Sequence, residues 1–353
     1  MDEASPLLDS ALPAQSLAGE PQSAPSPFLN VPSTPFRPRR GLRGPHRQTL
    51  ASQFLPRRMH LPMPEKRLIR VDPEVQVLCR CHWQAERRQA LTLLIVHGLE
   101  GSSESQYVQG TTAKALAAGM NVVRMNVRNC GGTEELGPTL YHSGLSADVG
   151  MVARTLLAEE HLPRLVLLGF SMGGNLVLKV AGEWGREAPP QLRAVCTVSP
   201  AVDLAASAAA LHRPANWVYE QYFLWNLRRR LRHKARLYPN RYEVQRLRRV
   251  WTLRQFDERI TSHYCGFAGA DDYYARASAA RVLQRIAVPA LLLHSADDPF
   301  IHILPETKAS LKANPNLRYV ETECGGHCAF LAEPDGYDGR WAERTAVEFL
   351  ARF

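Results

Sequence analysis

Short, almost unbroken apolar runs recur along this chain, and segments with the spacing of amphipathic helices fall between many of them. Residues 91–98 (LTLLIVHG), 121–127 (NVVRMNV), 164–170 (RLVLLGF), 193–199 (RAVCTVS) and 289–295 (PALLLHS) are the clearest, and the more polar 317–323 (LRYVETE) reads as a further strand. Runs this short that stay apolar instead of alternating read as strands buried on both faces. Such strands need cover above and below, which a parallel sheet obtains from the helices that connect its strands. Residues 105–119, 146–161 and 173–185 read as those helices, with Gly119 and Gly185 as stops and Asp148 helping to start the second. Residues 66–71 and 75–83 look like an opening strand pair, and 340–353 like a closing amphipathic helix. The expectation is an α/β fold with a mostly parallel central sheet and helices on both faces.

One stretch breaks the alternation. Between TVSPAVD and IAVPALLLHS the chain turns helical, aromatic and basic. It holds much of the excess of 43 Lys and Arg over 34 Asp and Glu, a net charge of +9. An insertion at this point of a parallel sheet lies over the C-terminal strand edge, where ligands bind, and reads as a lid. The expected division is a mobile Pro/Ser-rich tail (1–43), a first core part (44–200), a basic helical lid (201–286) and a second core part (287–353).

The bulk composition closes several routes. No apolar run reaches the length of about 18 residues a membrane helix needs, and the chain does not open on a signal-peptide pattern. The seven cysteines are scattered, and neither Cys79 and Cys81 nor Cys324 and Cys328 have partners at zinc-ligand spacing. Free thiols, no metal, no cofactor and a cytoplasmic location are expected.

The stretch VLLGFSMGGNLVL (166–178) places Ser171 between Gly169 and Gly173, after a strand and ahead of a helix. A turn serine would explain the residue alone. A strand, a tight turn and a helix start together match a nucleophile elbow, where the serine is held exposed and the glycines make room. A hydroxyl then needs a base and an orienting acid, in chain order serine, acid, histidine. His327 in CGGHCAF is the candidate base, and Asp298 in SADDPF the candidate acid, with Asp297 as its rival. His294, inside its strand, reads as a packed residue. The backbone N–H groups of Leu99 and Met172 are the candidate oxyanion donors. His97 and Gly98 are candidates for the pocket, or plain turn residues.

With these pieces in order, the chain resembles the α/β-hydrolase superfamily, and within it AB hydrolase family 4, which holds bacterial YheT-like esterases and animal α/β-hydrolase-domain lipases. The matching segments run over about 44–330 and include GPHRQTL, HGLEGSSES, RNCGGTEE, YHSG, GFSMGGN, FDERIT, DDYYARAS, DDPF and GGHCAF. The resemblance implies a Ser171, Asp298, His327 triad and action on carboxylic esters, lipid esters among them. Animal members usually begin with a membrane anchor that this N-terminus does not carry, so the resemblance points to the bacterial branch.

Tyr141 and His142 read as a loop shaping the floor beside the elbow, or as part of a second site. Arg128, Asn129 and Cys130 are candidates for the pocket wall. Three readings stay open for the basic helices: a solvated face, contact with an anionic membrane surface, or nucleic acid. The aromatics Trp217, Tyr222, Phe223 and Trp225 ahead of the basic run suit the membrane reading, while no recognition fold accompanies the charge, so nucleic acid is not expected. The expected activity is ester cleavage through an acyl-enzyme on Ser171. Acyl transfer, thioester cleavage and a catalytically idle binding scaffold are the alternatives, and the sequence carries no signal for oligomeric state.

Overall fold

The computed structural model describes residues 35–57 and 59–353. Eight strands form one sheet: β1 (Glu65–Asp72), β2 (Val75–His82), β3 (Thr92–Val96), β4 (Asn121–Met125), β5 (Leu165–Phe170), β6 (Leu192–Val198), β7 (Ala290–Ser295) and β8 (Leu317–Thr322). Their spatial order is β1-β2-β4-β3-β5-β6-β7-β8. The first three pair antiparallel at one edge, and every pairing from β4 to β8 is parallel. The mostly parallel sheet expected from the apolar runs is therefore present.

Successive residues of a strand point to opposite faces, and the core divides accordingly. Leu94, Val96, Leu165 and Leu167 face one cluster, while Leu93, Ile95, Val166, Leu168 and Phe170 face the other. The helices α1 (Pro45–Phe54), α2 (Gln106–Ala117), α3 (Ser146–Glu160) and α4 (Met172–Trp184) come first along the chain. Helices α3 and α4 bury their apolar stripes on the first cluster and α2 on the second. Gly119 follows α2 at φ 77° and Gly185 closes α4 at φ 52°, left-handed positions that glycine adopts without penalty. Asp148 does not cap α3: its carboxylate is turned to Arg128.

Between β6 and β7 lie α5 (Leu204–Leu211), α6 (Trp217–Leu237), α7 (Leu253–Phe256), a π-helical turn (Asp257–Thr261), α8 (Ser262–Cys265) and α9 (Ala270–Ala277). Helices α10 (Pro305–Ala313) and α11 (Trp341–Leu350) complete the chain, α11 beside α2 on the second cluster. No described helix is long and apolar enough to cross a membrane.

Helix α1 has no counterpart in the sequence expectations, because it buries only Gln48 and Thr49 and so lacks the apolar stripe that marks a helix in sequence. Of the expected tail, residues 1–34 lie outside the described residues. Phe36, within the same tail, packs on Phe330 and Trp341 with ring centroids 5.7 and 5.5 Å away.

Candidate active site

Strand β5 ends at Phe170 and α4 begins at Met172, leaving one residue to make the turn. Ser171 makes it at φ 53°, ψ −119°, a conformation that costs a non-glycine residue on the order of 1–3 kcal/mol. Its N–H donates to Val198 O at 2.9 Å, and its carbonyl accepts from Asn175 and Ala201 at 3.1 and 3.2 Å. The flanking glycines are required by crowding. A Cβ on Gly169 would stand 2.3 Å from Gly173 O, and one on Gly173 would stand 2.3 Å from Val96 O.

Two loops from the C-terminal ends of β7 and β8 bring the other expected residues to this turn. His327 Nε2 lies 3.0 Å from Ser171 Oγ, and its Nδ1 lies 2.9 Å from Asp298 Oδ2. A carboxylate only accepts, so Nδ1 carries the ring proton and Nε2 is free to accept from the hydroxyl. The second Asp298 oxygen accepts from the N–H groups of Phe300 and Ile301 at 3.2 and 2.9 Å. Asp298 is buried, and burial opposes its charge, yet the facing His327 and the Ile301 N–H hold its pKa below the usual 3.8. Burial likewise disfavours the imidazolium of His327, but the Cys328 sulfur and the Asp298 carboxylate prevail and its pKa is raised above 6.5. An alcohol, an imidazole and a carboxylate in this relay are what general-base activation of a hydroxyl requires.

Asp297, the rival acid, faces elsewhere. It accepts from Ser295 Oγ and, at 2.8 Å, from Gly326 N–H, and so braces the loop that carries His327. Helix α1 supplies the other brace. Thr49 Oγ1 accepts the N–H of His327 itself at 2.9 Å and donates to Pro45 O at 2.7 Å. The buried Gln48 amide pairs with both backbone groups of Leu331, at 2.7 Å to N and 3.1 Å to O. A glutamine and a threonine in HRQTL, buried on a helix with no apolar stripe, are the one sequence signal of this bracing.

A family model described as the alpha/beta hydrolase fold matches residues 92–334. The chain belongs to the α/β-hydrolase fold family. Among curated relatives, "Putative esterase YheT" of Escherichia coli (strain K12) is 30% identical, over 91% of this chain and 94% of its own length. "Phospholipase ABHD3" of Bos taurus is 32% identical over 72% of this chain and 60% of its own length, so this chain spans about three fifths of that protein. "Monoacylglycerol lipase" of Saccharomyces cerevisiae is 28% identical over 74% of this chain and 59% of its own length. Among solved structures, the Pyrococcus furiosus esterase Pf2001 superposes with a TM-score of 0.54 at 15% identity, covering 84% of this chain and 98% of that one, a likeness of fold.

In this α/β hydrolase, Ser171 opens into a cavity roofed by the residues between β6 and β7. Leu99, Met172, Tyr141 and His142 line it with Ser171, while most of the remaining wall is aliphatic and aromatic. The N–H of Met172 sits in the first turn of α4, where helical N–H groups have no acceptor within the helix. The turn before Leu99 presses on the serine, since a Cβ on Gly98 would stand 3.1 Å from Ser171 Cβ. His97 and Gly98 do not line the cavity. His97 is fully buried, with Nε2 accepting from Val127 N–H at 3.0 Å and Nδ1 facing Gly98 O at 2.8 Å, so both nitrogens are spent on shaping the turn. Burial lowers its pKa to about 4, so the ring stays neutral.

Arg128, Asn129 and Cys130 are also outside the cavity wall: Arg128 is paired with Asp148, and Asn129 donates to Thr139 O at 2.6 Å. His294 is packed in β7, as expected, and burial lowers its pKa to about 4. Two charged wall residues were not foreseen. Arg230 of α6 holds Glu100, next to Leu99, through two contacts of 3.0 and 3.1 Å, and holds Glu134 at 2.7 Å. Asp257, in the FDERIT segment, accepts from Thr261 and Tyr274 at 2.8 Å each, and burial raises its pKa to about 6.

Proposed function

We propose that this chain is a serine hydrolase that cleaves carboxylic esters, lipid esters among them, through an acyl-enzyme on Ser171. The observation that carries the reading is the continuous relay from Ser171 Oγ through His327 to Asp298, at 3.0 and 2.9 Å, on an elbow that opens into a largely apolar cavity. As Ser171 Oγ attacks the ester carbonyl carbon, its proton passes to His327 Nε2. The carbonyl oxygen becomes an oxyanion that the N–H groups of Leu99 and Met172 receive. Collapse breaks the bond to the leaving alcohol, which takes the proton from the imidazolium and departs. Water then repeats the sequence: His327 removes its proton, its oxygen attacks the acyl carbon, and Ser171 leaves with the proton. Asp298 keeps the imidazole oriented in both halves and offsets its transient charge. No metal or organic cofactor enters these steps.

The cavity wall favours an acyl chain over a polar acyl group. The names of the relatives, an esterase, a phospholipase and a monoacylglycerol lipase, support the same choice. The test is labelling with a fluorophosphonate alongside turnover of nitrophenyl esters from acetate to palmitate. Ser171→Ala is expected to lose the label and nearly all turnover, a fall on the order of 10⁶ in other enzymes of this mechanism. A folded Ser171→Ala protein that labels as strongly as wild type refutes the assignment.

A further inference from the structure

Helix α6 is the partition between the cavity and solvent. Leu227, Arg230 and Leu231 of its inner side line the cavity, and Leu224 and Lys234 are buried with them. Its outer side carries, in order, Trp217, Val218, Tyr222, Trp225, Arg229, Arg232 and Arg236, all exposed. At 3.6 residues per turn, the six from Val218 onward fall within a sector of about 80°. The chemistry of this stripe changes halfway along. Trp217, Val218, Tyr222 and Trp225 leave 62, 63, 59 and 58% of their surface in water, and nearby Trp251 leaves 66%. Trp251 belongs to the same patch, because the Arg228 guanidinium lies 5.6 Å from its ring and Gln221 donates to its carbonyl at 3.3 Å. Phe223 is different: it turns inward to the cavity wall.

Folding leaves these rings uncovered, and a contiguous apolar patch of this kind marks a contact surface. The arginines beside it carry free charge. Arg229 lies over the Trp225 ring at 5.0 Å, and no carboxylate of the described residues lies within 4.0 Å of Arg229, Arg232 or Arg236. Tryptophan and tyrosine suit the headgroup layer of a bilayer, where one edge is wet and the other apolar. Guanidinium groups pair with phosphate oxygens in a planar fork. An acidic protein surface would account for the arginines and leave the aromatic half unexplained.

We propose that the outer stripe of α6 docks the protein on an anionic phospholipid surface, its aromatic half entering the headgroup layer and its arginines pairing with lipid phosphates. A substrate ester then reaches Ser171 around the same helix. That last step rests on the ester-hydrolase reading; the docking does not.

The test is co-sedimentation of the full chain with vesicles of phosphatidylcholine, pure or containing about 30 mol% phosphatidylserine. Binding to the acidic vesicles is expected, weakening as salt rises from about 0.1 to 0.5 M and shortens the range of the charges. Charge reversal by Arg229→Glu, Arg232→Glu and Arg236→Glu together should weaken it on the order of a hundredfold or more. Trp217→Ser, Tyr222→Ser and Trp225→Ser together should also release the protein. Both triple variants change exposed side chains, and their thermal midpoints check that they fold. They should still turn over a water-soluble butyrate ester while losing activity on an ester embedded in acidic vesicles. Equal binding to neutral and acidic vesicles at both salt concentrations overturns the proposal, as does undiminished binding by either variant. So does a wild-type dimer that ignores vesicles and that the tryptophan variant dissolves, an outcome that assigns the stripe to a second copy. Ser171→Ala separates the two readings. It should bind vesicles as wild type does, so vesicle binding by a chain whose Ser171 resists fluorophosphonate overturns the ester-hydrolase reading alone.

Discussion

Replacing Thr49 by valine removes one oxygen and almost no volume, from a residue remote in sequence from the candidate site and touching His327. In the structure that oxygen accepts the N–H of His327 at 2.9 Å and donates to Pro45 O at 2.7 Å. Loss of the second bond is mild, because the Pro45 carbonyl is within α1 and keeps its helical position. Loss of the first leaves a partly buried N–H without its acceptor, which costs up to about 1–3 kcal/mol. The loop has little reserve against that cost. Gly326 and Cys328, on either side of His327, sit at φ 59° and 56°, and a non-glycine residue such as Cys328 adopts that conformation only when its surroundings impose it. Relaxation of this turn moves the imidazole relative to Ser171, and a displacement of about 1 Å is worth on the order of a hundredfold in rate. The expected result for Thr49→Val is a lower thermal midpoint and a kcat on a water-soluble nitrophenyl ester reduced about 10- to 100-fold, with KM little changed because the cavity wall is untouched. Thr49→Ser, which keeps the oxygen, should recover most of the rate. If Thr49→Val retains kcat within twofold of wild type, the loop is held by something other than α1, and the reasoning fails.

Asp298→Asn should lower kcat/KM by about 10⁴, the scale seen when the acid of such a relay becomes an amide and the imidazole loses its working tautomer. The pH profile tests the same contact: in the proposed mechanism His327 must be neutral to take the proton, so wild-type kcat/KM should rise with pH through a His327 pKa above 6.5, and in Asp298→Asn that limb should move to lower pH. An unmoved limb would mean that the carboxylate is not what raises the imidazole pKa. Arg230→Met should destabilise the protein by about 3–5 kcal/mol, because it strands Glu100 and Glu134 beside a largely buried position. A thermal midpoint within 2 °C or so of wild type, where a loss of that size should cost on the order of 10 °C, would count against the clamp.

What the sequence revealed and what it hid divide along a physical line. Ser171 was legible because the strand, the turn glycines and the helix start that hold it are all within ten residues, so sterics local to the chain dictate the pattern. Asp298 and His327 stood out because each lies in a loop that follows a strand, the first apolar and the second more polar, and the end of a parallel strand is where such a sheet presents its chemistry. Thr49 was not, since it reaches His327 across 278 positions through a helix whose buried residues are polar. No periodicity records a contact of that kind. His97 was misplaced for the opposite reason: its neighbour Leu99 lines the cavity, and proximity in sequence suggested a shared task, whereas the ring points into the core and spends both nitrogens on backbone groups. Arg230 shows how much then depends on tertiary packing. It reads as one of three consecutive arginines in a basic run, yet Arg229 beside it faces water while Arg230 turns inward to two carboxylates. Composition gave the two the same weight. The helical rotation of 100° between them makes one a clamp on the turn beside Ser171 and leaves the other free to meet an anion outside.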